Sequence, residues 1–90
     1  MKLAWTPQSL EDRRTIYDYI AHRNAGAALV LDELFSAQLA RLVDHPESGR
    51  AGRLVSTREL VVHKNYVVIY DLTNAEVRVL RILHSTRQWP

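Results

Sequence analysis

Apolar residues change their spacing about halfway along this chain, from a helical period to short runs rich in Val, Ile, Leu and Tyr. In the first half, Leu10, Ile16, Tyr17 and Ile20 keep helical spacing behind Thr6-Pro7, where a threonine hydroxyl can cap a helix and proline can open it. Glu11 and Asp12 then lie near the positive end of that helix dipole. "HRNAG" (22–26) interrupts the pattern, with Asn24 and Gly26 suited to left-handed backbone. A second helix is predicted from about Ala27 to Val43, its apolar stripe formed by Leu31, Leu34, Phe35, Leu39 and Leu42. Residues 44–53 read as a loop by their Pro, Ser and two Gly. Three strands follow in "TRELVVH" (57–63), "YVVIYDL" (66–72) and "EVRVLRILH" (76–84). Their gaps are of hairpin length, and each holds an asparagine suited to positive φ. "KLAW" (2–5) can add a fourth strand. The expected fold class is α+β: an N-terminal α-hairpin packed on one face of a small, mainly antiparallel sheet of three to four strands. Residues 1–90 form a single domain, since a chain this short supports one modest core.

Composition narrows the chemistry. There is no cysteine, which removes disulfides, thiolate nucleophiles and cysteine-based zinc sites. The N-terminus meets charge too early for a signal-peptide core and no apolar run approaches a membrane span, so a soluble, cytoplasmic protein with no membrane partner is expected. Charge is uneven. Residues 1–48 carry five Lys/Arg against seven Asp/Glu, and residues 49–90 carry seven against three. A basic C-terminal half suits a polyanionic partner or an acidic protein, although small domains also tolerate uneven surfaces.

Several chemistries find no support in the spacing. His22, His45, His63 and His84 make no HxxxH or HExxH pair, so no metal is expected, and no Gly-rich loop with phosphate-binding spacing calls for a cofactor. More informative is the run Arg50, Arg53 and Arg58, with Lys64 in the next turn, because guanidinium forks on a mobile glycine-containing loop suit phosphate. In the last strand, alternation places Leu80, Ile82 and His84 on one side and Val77, Val79, Arg81 and Leu83 on the other. With Leu80 and Ile82 against the helices, Arg81 falls on the opposite face. There it either lines an exposed groove or pairs with an acid such as Asp71 or Glu59.

Taken in order, "LEDRRTIYDYIAHRNAGAALVLDELFSAQLARLVDHPESGR", "GRLVSTRELVV", "YVVIYDL" and "VRVLRILHSTRQWP" resemble the RelE/ParE superfamily of bacterial type II toxin–antitoxin toxins over essentially the whole chain. The resemblance implies a growth-inhibiting protein partnered by a small, acidic antitoxin encoded beside it, with operator DNA contacted only through the antitoxin complex. RelE-like members cleave mRNA on the ribosome without a metal, whereas ParE-like members poison DNA gyrase. The long hairpin looks like ParE. The basic and aromatic tail looks more like the nuclease branch, which puts ribosome-dependent mRNA cleavage slightly ahead as the expectation, with gyrase poisoning as the alternative.

The nuclease resemblance implies a catalytic set of Arg58, Arg81 and His84, with Arg50, Arg53, Lys64, Tyr66, Arg87 and Trp89 binding RNA. Leu60 and Val67 depart from that branch, where lysine and arginine are common. Metal-free RNA cleavage needs a base for the 2′-hydroxyl, an acid for the leaving oxygen and fixed cations at the phosphorane. Arginines serve only as clamps, so His84 or His63 must move the protons. Tyr66 and Trp89 are placed either to stack on bases or to pack within the fold.

Overall fold

In the computed structural model, which describes residues 1–90, strand β1 (Lys2–Trp5) leads into helix α1 (Pro7–Ala21) and helix α2 (Ala25–Asp44). The chain then builds β2 (Arg50–Ala51), β3 (Thr57–His63), β4 (Tyr66–Leu72) and β5 (Glu76–His84). The three long strands occupy the predicted ranges. The sheet has five strands rather than three or four, in the order β1-β5-β4-β3-β2. β1 runs parallel to β5 in the register Lys2↔Glu76 to Trp5↔Val79, and the other pairs are antiparallel. β2, only two residues long, lies within the segment predicted as loop and pairs with Arg58 and Glu59.

Thr6 caps α1 as predicted, its hydroxyl accepting the Ser9 N–H at 3.2 Å with Pro7 in the first turn. Asn24 is not left-handed. It is the extended N-cap of α2, and its side-chain oxygen accepts the Ala27 N–H at 3.0 Å, so the second helix begins two residues early. The hairpin asparagines also lack positive φ: among non-glycine residues only Ser56 is left-handed. Glu11 and Asp12 lie beyond the first turn of α1, and Asp12 is used elsewhere.

The helices cover one face of the sheet. Leu31, Phe35, Leu39 and Leu42 of α2 meet Val62, Tyr66, Val68, Tyr70, Val77, Val79 and Ile82 in the main core, flanked by Ile16 and Ile20 of α1. Leu10 and Tyr17, which share helical spacing with Ile16 and Ile20, are turned to solvent. On the outer face Val67, Ile69 and Leu83 form a second cluster, backed by Leu80 and Trp89. Leu80 lies there, and not beneath the helices, because an irregularity between Ile69 and Tyr70 pairs them with Arg81 and Val79. One residue is thereby skipped and alternation changes phase along β5.

The α2–β3 connection is fastened by Tyr70, which is fully buried. Its hydroxyl donates to the Pro46 carbonyl at 2.8 Å and accepts the Gly49 N–H at 3.0 Å. Gly49 is required by proximity: a Cβ there would sit 2.6 Å from that hydroxyl.

Candidate functional site

The change of phase in β5 carries Val77 and Val79 beneath the helices, against expectation, and leaves Arg81 opposite Ile69. Its guanidinium turns toward α1 and makes a paired bond with Asp12, at 2.7 Å through Nε and 3.0 Å through the second nitrogen. Asp12 also accepts the Ile82 N–H at 3.0 Å. Arg81 keeps its strand position beside the outer cluster, opposite Ile69, but its partner is neither Asp71 nor Glu59. Asp71 pairs with Arg78 instead. The Asp12 hydrogen bonds push the Arg81 pKa upward, with burial opposing, so the cation is permanent and already neutralised.

Glu59, only 3 % exposed, organises the basic loop. It accepts from the Arg50 guanidinium at 3.2 Å and from the Arg53 backbone N–H at 3.2 Å, with Arg53 Nε 3.4 Å away. Arg53 in turn donates to the carbonyls of Arg87 and Trp89 at 3.3 and 3.4 Å, tying the tail to this loop. Trp89 lies against the outer apolar cluster. Arg58 points to the helix side, donating to the carbonyls of Glu47 and Gly49.

Arg58 stands opposite Tyr70 on β4, and His84 stands opposite Tyr66. Four residues of strand separate those rows, about 13 Å at roughly 3.3 Å per residue. Arg58, Arg81 and His84 are thus not gathered round one point.

What the fold does gather lies at the other end of the sheet, in an open cavity of ≈ 760 Å³ between the α1–α2 turn and the β3–β4 turn. Tyr66, His84 and Arg87 line it, as do His63, Asn65, Tyr19, Arg23 and Asn24, over an apolar floor that includes Ile16, Ile20 and Leu31. Lys64 occupies the adjoining turn, where the Ser85 hydroxyl donates to its carbonyl at 3.1 Å. Tyr66 is largely packed, edge-on to Phe35 and to His84 with centroids 6.1 and 5.5 Å apart. Burial, then the neighbouring Tyr19, pushes its phenol up, so it is neutral at ordinary pH.

Both histidines carry the same constraint. His63 Nδ1 accepts the Asn65 N–H at 3.1 Å, and His84 Nδ1 accepts the Thr86 N–H at 3.2 Å with the Thr86 hydroxyl 2.8 Å away. With Nδ1 an acceptor, the neutral ring carries its proton on Nε2. Each imidazole thus offers a donor rather than a free lone pair. The carboxylate in the cavity wall, Asp12, is consumed by Arg81, while Arg23 and Arg87 take part in none of the ion pairs. The N-terminus of α2 opens on the same side through Asn24 and Ala27. The result is a cationic, donor-rich basin with an apolar floor.

Residues 3–89 match the family model described as ParE toxin of type II toxin-antitoxin system, parDE. This chain belongs to that toxin family. Two relatives align over nearly their whole lengths. The toxin candidate Y4kP of Sinorhizobium fredii is 32% identical over 90 residues, covering 99% of this chain and 93% of its own. Toxin RelE2 of Caulobacter vibrioides is 33% identical over 86 residues, covering 96% and 97%. Among solved structures, the chromosomal ParDE system of P. aeruginosa superposes with a TM-score of 0.82 at 24% identity, covering 93% of the toxin and 95% of the matched chain. A YoeB/ParE toxin from Agrobacterium tumefaciens gives 0.66 at 16% identity, covering 93% and 98%. The superpositions bear out the fold. Membership makes the chain the toxin of a type II module and implies a cognate antitoxin.

The cavity residues Tyr19, Arg23, Asn24 and Asn65 were missed as site residues in the sequence. Their signal was present, since Arg23-Asn24 and Lys64-Asn65 occupy the two breaks between elements. That those breaks lie side by side is a tertiary fact.

Proposed function

We propose that this toxin arrests growth in the ParE manner, by binding DNA gyrase and trapping it on cleaved DNA, without cutting RNA. The observation that carries this reading is the dispersal of the cations. Arg81 is neutralised by Asp12, and Arg58 is spent on loop carbonyls about 13 Å of strand away from His84. A phosphorane needs several unneutralised cations round one atom, and a 2′-hydroxyl needs a base with a free lone pair. His63 and His84 both have Nδ1 engaged by backbone N–H groups. Family membership agrees with this reading. The test is to mix purified toxin with gyrase and supercoiled plasmid, and separately with a translating extract carrying one defined mRNA. Linear DNA held by gyrase, together with intact mRNA ends, is the expected result.

The second reading, mRNA cleavage on the ribosome, draws support from the convergence of His63, Tyr66, His84 and Arg87 on one cavity. New mRNA ends within translated codons, with no gyrase-linked DNA, would establish it in place of the first.

A further inference from the structure

The β2–β3 turn holds out two side chains that the fold does not bury. Val55 is 94 % exposed and Leu54 41 %, side by side at the tip. The turn beneath them is closed tightly. The Gly52 N–H donates to the Thr57 carbonyl at 2.8 Å, and the Leu54 carbonyl accepts the Thr57 hydroxyl at 2.7 Å and the Thr57 N–H at 3.2 Å. Gly52 is obligatory, because a Cβ there would meet the Thr57 hydroxyl and lie 2.8 Å from the Thr57 carbonyl carbon. Ser56 completes the turn with φ 68°, left-handed backbone that a serine adopts only at a cost. From the sheet side, the buried Glu59 carboxylate holds the Arg53 N–H at 3.2 Å. Single exposed apolar residues are ordinary, whereas an adjacent pair on a strained and braced tip points to something that it meets.

The border of the turn says what that is. Arg50 and Arg53 flank the tip with side chains 60 % and 42 % exposed, and they share the one carboxylate of Glu59. Arg58 stands behind them, bonded to the carbonyls of Glu47 and Gly49. Three guanidinium groups thus face two carboxylates, Glu59 and Glu47, and the border is net positive. Asp71, opposite Thr57, is already matched by Arg78. Apolar side chains projecting between cations suit a DNA duplex: the cations take phosphates and the apolar tip enters between stacked bases. A pocket on a protein is a poorer match, since leucine and valine are under-represented among the side chains that anchor protein contacts. Opening the stack costs least where pairing or stacking is already disturbed. The gyrase reading above puts the toxin beside such a place, the cut in the DNA.

We infer that Leu54 and Val55 form a wedge that enters duplex DNA at the step cleaved by gyrase, with Arg50 and Arg53 on the flanking phosphates. The inference rests on the gyrase reading and adds the surface through which it acts. Rejoining needs the reacting ends within about 3–3.5 Å of each other, so a seated wedge stalls it without the toxin making or breaking any bond.

The experiment uses the full-length toxin, gyrase and supercoiled plasmid. With the photoreactive residue benzoylphenylalanine placed at Val55, irradiation of the trapped complex should join the toxin to DNA near the cut. An adduct with a gyrase subunit alone, or none from a toxin that still traps gyrase, overturns the wedge. Leu54→Ser with Val55→Ser tests the same point without a bulky label. It should lower the yield of gyrase-held linear DNA about tenfold or more while leaving binding to gyrase in the absence of DNA unchanged. Trapping at the parent level by this variant overturns the proposal, as does loss of its binding to gyrase alone, which would seat the tip on protein. Arg50→Gln, which leaves Arg53 on Glu59, should weaken trapping about threefold and reduce its sensitivity to salt. A parent toxin that traps no cleaved DNA is a separate outcome, which removes the gyrase reading and the wedge with it. Far-ultraviolet circular dichroism confirms that each variant is folded.

Discussion

At the scale of single residues, Arg81 shows how one hydrogen-bonded pair changes what a side chain is for. Alternation alone puts it on the outer face, where its removal should cost nothing in stability. Bound to Asp12 and mostly buried, it joins α1 to β5. Arg81→Ala should therefore lower unfolding stability by about 2 kcal/mol, because it leaves a largely buried carboxylate without its partner. Asp12→Asn, which keeps shape but removes the charge, should cost less, about 1 kcal/mol. Denaturant unfolding of both variants checks the order, and an Arg81→Ala protein as stable as the parent would contradict it. The residues that alternation misplaced in this strand are Val77, Val79 and Leu80, which exchange faces. The irregularity at Ile69 and Tyr70 that shifts the phase of β5 has no glycine or proline to announce it.

At the scale of elements, the three long strands and both helices were legible because their apolar patterns are long and their boundaries carry strong punctuation. Thr6-Pro7 opens α1, and Val68, Tyr70, Val77 and Val79 are buried without exception. β2 was illegible, since two residues carry no period and Arg50-Ala51 pairs only because Glu59 fixes the loop beside it. The basin was legible in part. His84, Tyr66 and Arg87 were named from the sequence, but the breaks that complete it lie some forty residues apart along the chain. The α2–β3 connection offers a direct test of packing. Gly49→Ala places a methyl group against the Tyr70 hydroxyl, which has no room to retreat, and should cost about 1–3 kcal/mol. Tyr70→Phe leaves the Gly49 N–H and the Pro46 carbonyl without their shared partner and should cost about 1–2 kcal/mol. Since both changes break one contact, the double variant should cost clearly less than the sum. Thermal melting of the three proteins decides this.

The whole molecule should be more sensitive to base than a count of its tyrosines suggests. Tyr66 and Tyr70 both titrate higher in the folded chain than in an unfolded one, chiefly through burial. Between the unfolded value near 10 and the higher folded value, the native state holds more protons than the unfolded state, so stability falls as pH rises. Their contribution is complete below about pH 10 and is lost through the range above it. Unfolding midpoints measured from about pH 9 to about pH 11 should decline steeply, and Tyr66→Phe should flatten part of the decline. A slope unchanged in that variant would assign the loss to other groups.

The pairing of β1 with β5 has a consequence in time. The first strand, β1, finds its only neighbour in β5, with Lys2 opposite Glu76. α1 is in the same position, because Asp12 waits for Arg81 and Ile82. α2 can pack on β3 and β4 beforehand, but β1 and the Asp12 end of α1 cannot settle until β5 is in place, and closure over so long a separation is intrinsically slow. The β1–β5 ladder and the Asp12–Arg81 pair are therefore late events, joining segments more than sixty residues apart.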